Sequence, residues 1–299
     1  MYKNGLIIIN QNCNITSKAE NLLQKIFKQG NTGMIVSLNP SELINVFEKQ
    51  DHVIVAGGDG TIFSILQLIF DKRIPIAHFP IGTGNGLYNS IIKNKEFNLD
   101  SIYNNLNIAI QNDKKVSIDT MTIKFLNSGN ILRSFLFISC GIFSNIDLKS
   151  EWLRFLGELR FTIGGIIELT KYFLNCNKFN AELEYSDEEG NYIKVEGMFV
   201  FFLASNLSHT SKSSITSPYS RHDDGFIYLS YLTEPTSTFT LLQILLGLED
   251  GSYINKLNYV KTKWFRLSPE TGIYDIDGEK IDSSPIDVSI NPSSMDVLI

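Results

Sequence analysis

Val53-Ile54-Val55-Ala56-Gly57-Gly58-Asp59-Gly60-Thr61 is the stretch whose reading decides the fold. The short apolar run reads as a buried strand. Three glycines and one aspartate then form a tight turn, and the segment from Ile62 to Phe70 continues with apolar residues at helical spacing. A strand, a glycine turn and a helix start bring backbone N–H groups and the positive end of a helix to a place where a phosphate can sit. Asp59 stands at the carboxyl end of the strand, where open α/β sheets hold their ligands. An ordinary strand-to-helix connection has the same local pattern, so the turn alone marks a phosphate neighbourhood and no reaction.

Outward from this turn, residues 5 to about 112 alternate strands and helices. Leu6–Asn10 is a strand, and Ser17–Gln29 carries Ala19, Leu22, Leu23, Ile26 and Phe27 on one helical face. Met34–Leu38 is a second strand, and Pro40 opens a helix to about Lys49. Ile74–Phe79 is a further strand, running into a second glycine turn, Gly82-Thr83-Gly84-Asn85-Gly86. This rhythm predicts a three-layer, Rossmann-like α/β domain over residues 1–113. From Lys115 the pattern changes to period two, as half-buried antiparallel strands require. Strand-like runs at Leu132–Ser139, Asn180–Tyr185, Val195–Leu203, Phe226–Leu232, Lys263–Leu267, Gly272–Ile276 and Ile286–Ile290 predict a β-sandwich domain over 114–299. Helical segments near 150–175 and 238–248 interrupt it, and polar Ser208–Asp224 reads as a mobile surface loop.

Composition narrows the classes. An apolar share of 43% with 19% charged residues is that of a folded, soluble chain. A formal net charge of −6 without a polybasic run argues against nucleic-acid binding and against strong electrostatic attachment to anionic membrane. Cys13, Cys140 and Cys176 are widely spaced, as free thiols in a reducing compartment would be. The apolar run in the first residues is too short for a signal peptide, and no run approaches a membrane span. A cytoplasmic location is expected.

The two glycine turns within one α/β domain, followed by a strand-rich domain, resemble the diacylglycerol kinase catalytic family of lipid kinases, which includes the sphingosine and ceramide kinases. Cys140-Gly141-Ile142-Phe143-Ser144-Asn145-Ile146-Asp147-Leu148-Lys149-Ser150-Glu151 and Leu156-Gly157-Glu158-Leu159-Arg160-Phe161 are similar to a segment of the sphingosine kinases. Asp223-Asp224-Gly225 and Asp275-Ile276-Asp277-Gly278-Glu279 match the family's downstream acidic-glycine motifs. Phosphofructokinases and NAD kinases share a Gly-Gly-Asp-Gly turn, but the Asn-Asn-Glu motif of NAD kinases is missing.

The resemblance implies transfer of the γ-phosphate of ATP, with Mg²⁺, to the primary hydroxyl of a sphingoid base. Asp59 would be the general base; the alternative is a cap on the helix starting near Thr61. Gly57, Gly58 and Gly60 allow close approach by phosphates or lipid head, with Thr61 beside them. Gly82, Thr83, Gly84 and Asn85 resemble the second nucleotide loop. Arg154 and Arg160 match arginines directed toward ATP phosphates, and Asp277, Gly278 and Glu279 resemble the motif that completes the nucleotide site, though Asp-Gly is also a hairpin-turn signal. Asn10, Asn12 and Ser37 fall at further nucleotide positions, and Ser64 replaces the glutamate of relatives. No direct metal ligand follows from the sequence.

Asp147 would hold the lipid's polar head, a carboxylate suiting a cationic amine; otherwise it is an acid at the start of a helix over Leu148–Phe155. Asn145 stands where sphingosine kinases usually carry a second acid. Ile163, Ile166 and Ile167 share one face of a helix that in the resembling enzymes gates the lipid pocket and touches the membrane, or they form a plain core stripe. The implied partners are a lipid substrate and, transiently, a membrane surface, with peripheral membrane association. A homodimer is compatible with this reading. Diacylglycerol or ceramide as substrate, and a catalytically silent lipid- or nucleotide-binding homologue, stay open as alternatives.

Overall fold

A computed structural model describes residues 4–9, 16–28, 31–35, 46–92, 98–150, 152–153, 159–174 and 177–299. The chain divides into two compact units, residues 1–119 with 293–299, and residues 120–292. The fold is α/β followed by β, as the periodicities predict.

In the first unit, β1 (Asn4–Ile9), β2 (Asn31–Ile35), β3 (His52–Gly57) and β4 (Ile76–Pro80) form a parallel sheet in the order β4-β3-β1-β2. Val53 to Ala56 are fully buried, so a strand with no polar face is what this position requires. The helices are α1 (Ser17–Lys28), α2 (Asp59–Ile69), α3 (Gly86–Ile91) and α4 (Leu99–Asn112). Ala19, Leu22, Leu23 and Ile26 of α1 pack with Ile7, Ile9, Ile54 and Ala56 of the strands and Ile102, Leu106 and Ala109 of α4 in one core. The boundary expected at 113/114 lies at 119/120, and the last seven residues return to this unit. Val297 and Leu298 pair in parallel with Ile76 and Ala77 of β4, because the apolar chain end completes the edge of an otherwise unpaired buried strand. Of the helix expected from Pro40, only Phe47–Lys49 is described, as a single 3₁₀ turn; residues 36–45 lie outside the described residues.

The second unit is built on antiparallel strands. They are β5 (Lys115–Phe125), which enters from the first unit, β6 (Ile131–Ser134), β7 (Phe137–Gly141), β8 (Phe179–Ser186), β9 (Tyr192–Ser205), β10 (His209–Ser211), β11 (Ser214–Ile215), β12 (Ile227–Thr233), β13 (Asn258–Thr262), β14 (Trp264–Pro269), β15 (Ile273–Ile276), β16 (Glu279–Asp282) and β17 (Ile286–Leu298). Strand β9 pairs with β8 along its first half, with β7 along its second, and with β12. Its run Phe199–Ser205 is accordingly buried throughout, whereas β8 alternates buried and half-exposed positions. The helices are α5 (Ile142–Lys149), α6 (Leu159–Phe173) and α7 (Thr238–Leu246).

Three expectations change here. Helix α5 starts at Ile142, so Asp147 lies near its end and not at a helix start. The single strand expected over Leu132–Ser139 is two strands, because residues 135–137 give their N–H groups to a side chain, as described below. Ser208–Asp224 holds the β10–β11 hairpin and buries Ser211, Thr216 and Ser217.

Candidate active site

In the first unit the two glycine turns meet backbone to backbone. A side chain at Gly82 would put its Cβ 2.4 Å from Gly58 Cα and 2.9 Å from Gly58 N. One at Gly57 would lie 2.5 Å from Thr61 Oγ1. The glycines at 57, 58 and 82 thus have a packing reason independent of any ligand. The second turn is braced by Asn85, in the left-handed region at φ 52°, which holds the N-cap position of α3 without a side-chain cap bond. Its Oδ1 accepts from Gly82 N–H (3.1 Å) and its Nδ2 donates to Gly82 O (2.8 Å). Asn85 is therefore buried and spent on its own loop, while Thr83 is exposed and Gly84 half-buried.

Asp59 does not cap the helix it begins. The N-cap of α2 is Gly58, with no side-chain cap. Instead, the Asp59 carboxylate crosses to the second turn, where Oδ2 accepts from Gly86 N–H (2.8 Å) and Oδ1 from Leu87 N–H (3.1 Å). Two first-turn N–H groups of α3 hold it in one orientation. Burial raises its carboxyl above the ordinary aspartate value, against the pull of these two donors. The side chain is half-buried, which leaves an accessible surface. Ser64 turns back to Gly60 O at 3.1 Å, an intrahelical bond that closes off its hydroxyl.

One participant is missing from the sequence reading. His78 of β4 is buried, and its Nε2 lies 3.0 Å from Gly57 O. Burial pushes the imidazole down to about 4, so the ring is neutral and Nε2–H donates to the carbonyl that starts the first turn. The signal was there in the sequence: a histidine inside an otherwise apolar strand.

In the second unit, a cavity of about 340 Å³ lies against α5, α6, α7 and the β10–β11 hairpin. Phe143, Ile146, Phe161, Leu169, Leu203 and Leu245 supply apolar wall, and Ser139, Thr210, Asp147 and Asp275 supply polar groups. This size and make-up are those of small-molecule and lipid sites. The cavity face of α6 is Phe161, Thr162, Gly165, Ile166 and Leu169. Ile166 therefore lines it, whereas Ile163 and Ile167 do not, because the helix presents the i, i+4 and i+7 positions counted from Thr162.

Asp147 and Arg160 come together. Arg160 Nη2 donates to Asp147 Oδ1 at 2.8 Å, and the guanidinium lies 4.3 Å from the centre of the Phe161 ring. Arg160 is buried, and the partner of its charge in this structure is an acid of α5. Asn145 explains its own departure from the resembling pattern. Its Nδ2 donates to Glu168 Oε2 at 3.0 Å, and Glu168 is buried and also paired with Lys171. An acid at 145 would oppose Glu168.

Asp277 is also engaged within the fold. Asp277 (φ 53°) and Gly278 (φ 90°) form the two-residue turn between β15 and β16, the left-handed pair of a type I′ hairpin. The Asp277 carboxylate is buried and accepts from Ser134 Oγ (2.7 Å) and from the N–H groups of Phe135 (2.9 Å), Leu136 (3.0 Å) and Phe137 (2.9 Å). Burial still pushes the carboxyl up to about 7. With four donors on two oxygens it ties the β6–β7 corner to the hairpin. Glu279 next to it is exposed. Among the described residues no group of three or more His, Cys, Asp or Glu is placed to hold a metal ion. Asn10, Asn12, Ser37 and Arg154 lie outside the described residues, as do Cys13 and Cys176, while Cys140 is a buried free thiol.

Residues 6–122 match the diacylglycerol kinase catalytic domain family. Over these residues the chain is similar to that domain family, and along most of its length it is similar to sphingosine kinases. It is 26% identical over 279 residues to sphingosine kinase 2 of Arabidopsis thaliana, covering 77% of this chain and 57% of that protein. With human sphingosine kinase 1 it shares 23% identity over 290 residues, covering 82% and 75%. The chain thus spans little more than half the length of its Arabidopsis relative. The crystal structure of a diacylglycerol kinase from Bacillus anthracis superposes with a TM-score of 0.69 over 99% of this chain and 97% of that one, at 16% identity, which is a likeness of fold. No described helix is long and apolar enough to cross a membrane.

Proposed function

We propose that the chain is an ATP-dependent lipid kinase that moves the γ-phosphate of ATP to the primary hydroxyl of a sphingoid base, turning sphingosine into sphingosine 1-phosphate. The observation that carries this reading is the Asp59 carboxylate, fixed by the N–H groups of Gly86 and Leu87 and raised in pKa by burial. Phosphoryl transfer asks the protein for alignment, charge neutralisation and a base at the attacking hydroxyl. A base works best when its pKa is drawn toward the working pH and its orientation is set before substrate arrives. Asp59 meets both conditions. Backbone N–H groups of the paired turns, around Gly58, Gly60, Thr83 and Gly84, would receive the phosphates at the uncapped start of α2. Mg²⁺ would be held through phosphate oxygens and water, supplying charge neutralisation.

The cavity of the second unit would take the lipid chain, with Asp147 near the head group. Ile166, Leu242 and Leu246 line it and are 63%, 37% and 69% exposed. Together with Leu159 and Phe173 on α6 and Phe239 on α7 they give an apolar rim suited to transient contact with a bilayer. A neutral lipid such as diacylglycerol or ceramide is the second reading, favoured by the Asp147–Arg160 pair, which neutralises the expected amine partner. The test is incubation with labelled ATP, Mg²⁺ and each of sphingosine, ceramide and diacylglycerol. Label on sphingosine is the expected result. Label on a neutral lipid alone selects the second reading, and lipid binding without label transfer selects a silent homologue.

A further inference from the structure

Asp147 is not the only acid at the cavity. Asp275 interrupts the apolar strand Ile273-Tyr274-Asp275-Ile276, and its side chain lines the cavity although the residue is 1% exposed. Oδ1 accepts from Gly278 N–H at 2.9 Å, while Oδ2 is buried with no donor on it, and the carboxyl lies within hydrogen-bonding reach of the Asp147 carboxyl. Buried polar oxygens of native proteins are nearly always satisfied, and one that faces a cavity is waiting for a donor from its contents.

The charges around it say which donor. Asp147 of α5 lies beside it, held by Arg160 of α6, and Asp277 in its own hairpin is turned away toward residues 134–137. Glu249 is the third acid at the cavity, and no Lys, Arg or His is among the described residues that line it. Arg160 answers Asp147, and no Lys, Arg or His among the described lining residues stands beside Asp275, so a ligand cation would supply that charge. Asn145, at the position where the second acid would be expected, is spent on Glu168.

The geometry points to Asp275 as the residue that selects a cationic head group, receiving the ammonium of a single-chain amine lipid on Oδ2 beside Asp147. This rests on the reading of the cavity as the lipid site. Burial and the neighbouring Asp147 raise the Asp275 carboxyl well above the usual range, which favours its protonated form while the cavity holds no cation. Seating an ammonium favours the carboxylate, and the proton leaves to solvent. Amine binding and proton release are thereby coupled, whereas a neutral head group accepts or donates a hydrogen bond with the acid intact.

The test uses the full chain and two simple probes, dodecylammonium and dodecanol, titrated calorimetrically in two buffers of different ionisation enthalpy. Dodecylammonium should bind with release of about one proton and dodecanol with none. Asp275→Asn, which keeps the acceptor for Gly278 N–H, should weaken dodecylammonium by about ten-fold or more, abolish proton release and leave dodecanol within about two-fold. Binding of dodecylammonium no tighter than that of dodecanol to the unmodified protein overturns the assignment without reliance on any variant. So does equal weakening of both probes by Asp275→Asn. If the unmodified protein phosphorylates no lipid yet shows the coupled binding, the kinase reading fails and the head-group assignment stands. If it phosphorylates sphingosine and Asp275→Asn leaves the sphingosine KM unchanged, the assignment fails and the kinase reading stands.

Discussion

Asp59 and Asp277 sit in acid–glycine turns that look alike as sequence, Gly58-Asp59-Gly60 and Asp277-Gly278. Their surroundings make them opposites. Asp59 is half-buried, held by two N–H groups of a neighbouring turn, and keeps an open side. Asp277 is fully buried, held by four donors, and has none to spare. A motif therefore tells where an acid stands in the chain, and its hydrogen-bond partners tell whether it is available for chemistry. The first is suited to handle a proton, and the second holds a corner of the fold together.

Substitutions can break this contrast. Asp59→Ala removes both base and cap, and lipid phosphorylation should fall by about 10²–10⁴-fold, with a loss of about 1 kcal/mol in stability from the uncapped α3; initial rates and urea melts read the two effects separately. Asp277→Ala leaves a hydroxyl and three N–H groups without their acceptor and should cost about 3 kcal/mol or more. Its urea midpoint should drop accordingly, with rate falling only as the folded fraction falls. Gly82→Ala forces a Cβ against the Gly58 backbone and should cost about 2 kcal/mol by overpacking, with loss of activity beyond the stability change because the two turns separate. The smallest effect is on pH. Asp59 must be ionised to act, and burial raises its pKa, so activity should rise with pH through an acid limb lying above the ordinary aspartate value. A profile of kcat/KM from about pH 4 to 8 reads it, and an acid limb at or below that value would contradict the burial argument.

Much of the fold was legible because its signals are local. The Val53 strand, the α1 face at Ala19, Leu22, Leu23 and Ile26, and the period-two runs after Lys115 each declare their element within a dozen residues. Val297 and Leu298 were not legible in the same way, since pairing with β4 joins positions more than two hundred residues apart. The break between β6 and β7 was hidden for a similar reason: its cause, Asp277, lies far along the chain. In the site, sequence located both glycine turns and Asp147, but not the direction of any side chain. Arg160 on Asp147, Asn145 on Glu168 and Asp59 on the α3 start are each decided by a partner on another element. His78 and Asp275 announced themselves only as polar residues in apolar strands, a pattern open to several explanations until burial and partners were known.

Asp59→Asn separates catalysis from architecture most directly, because the amide keeps the size of the side chain and one acceptor for the α3 N–H groups. Transfer of label from ATP to sphingosine should fall by about three orders of magnitude in this variant, while its Tm stays within about 5 °C of the unmodified protein. Retention of the rate within a few-fold in a folded Asp59→Asn protein would contradict the assignment of Asp59 as the base.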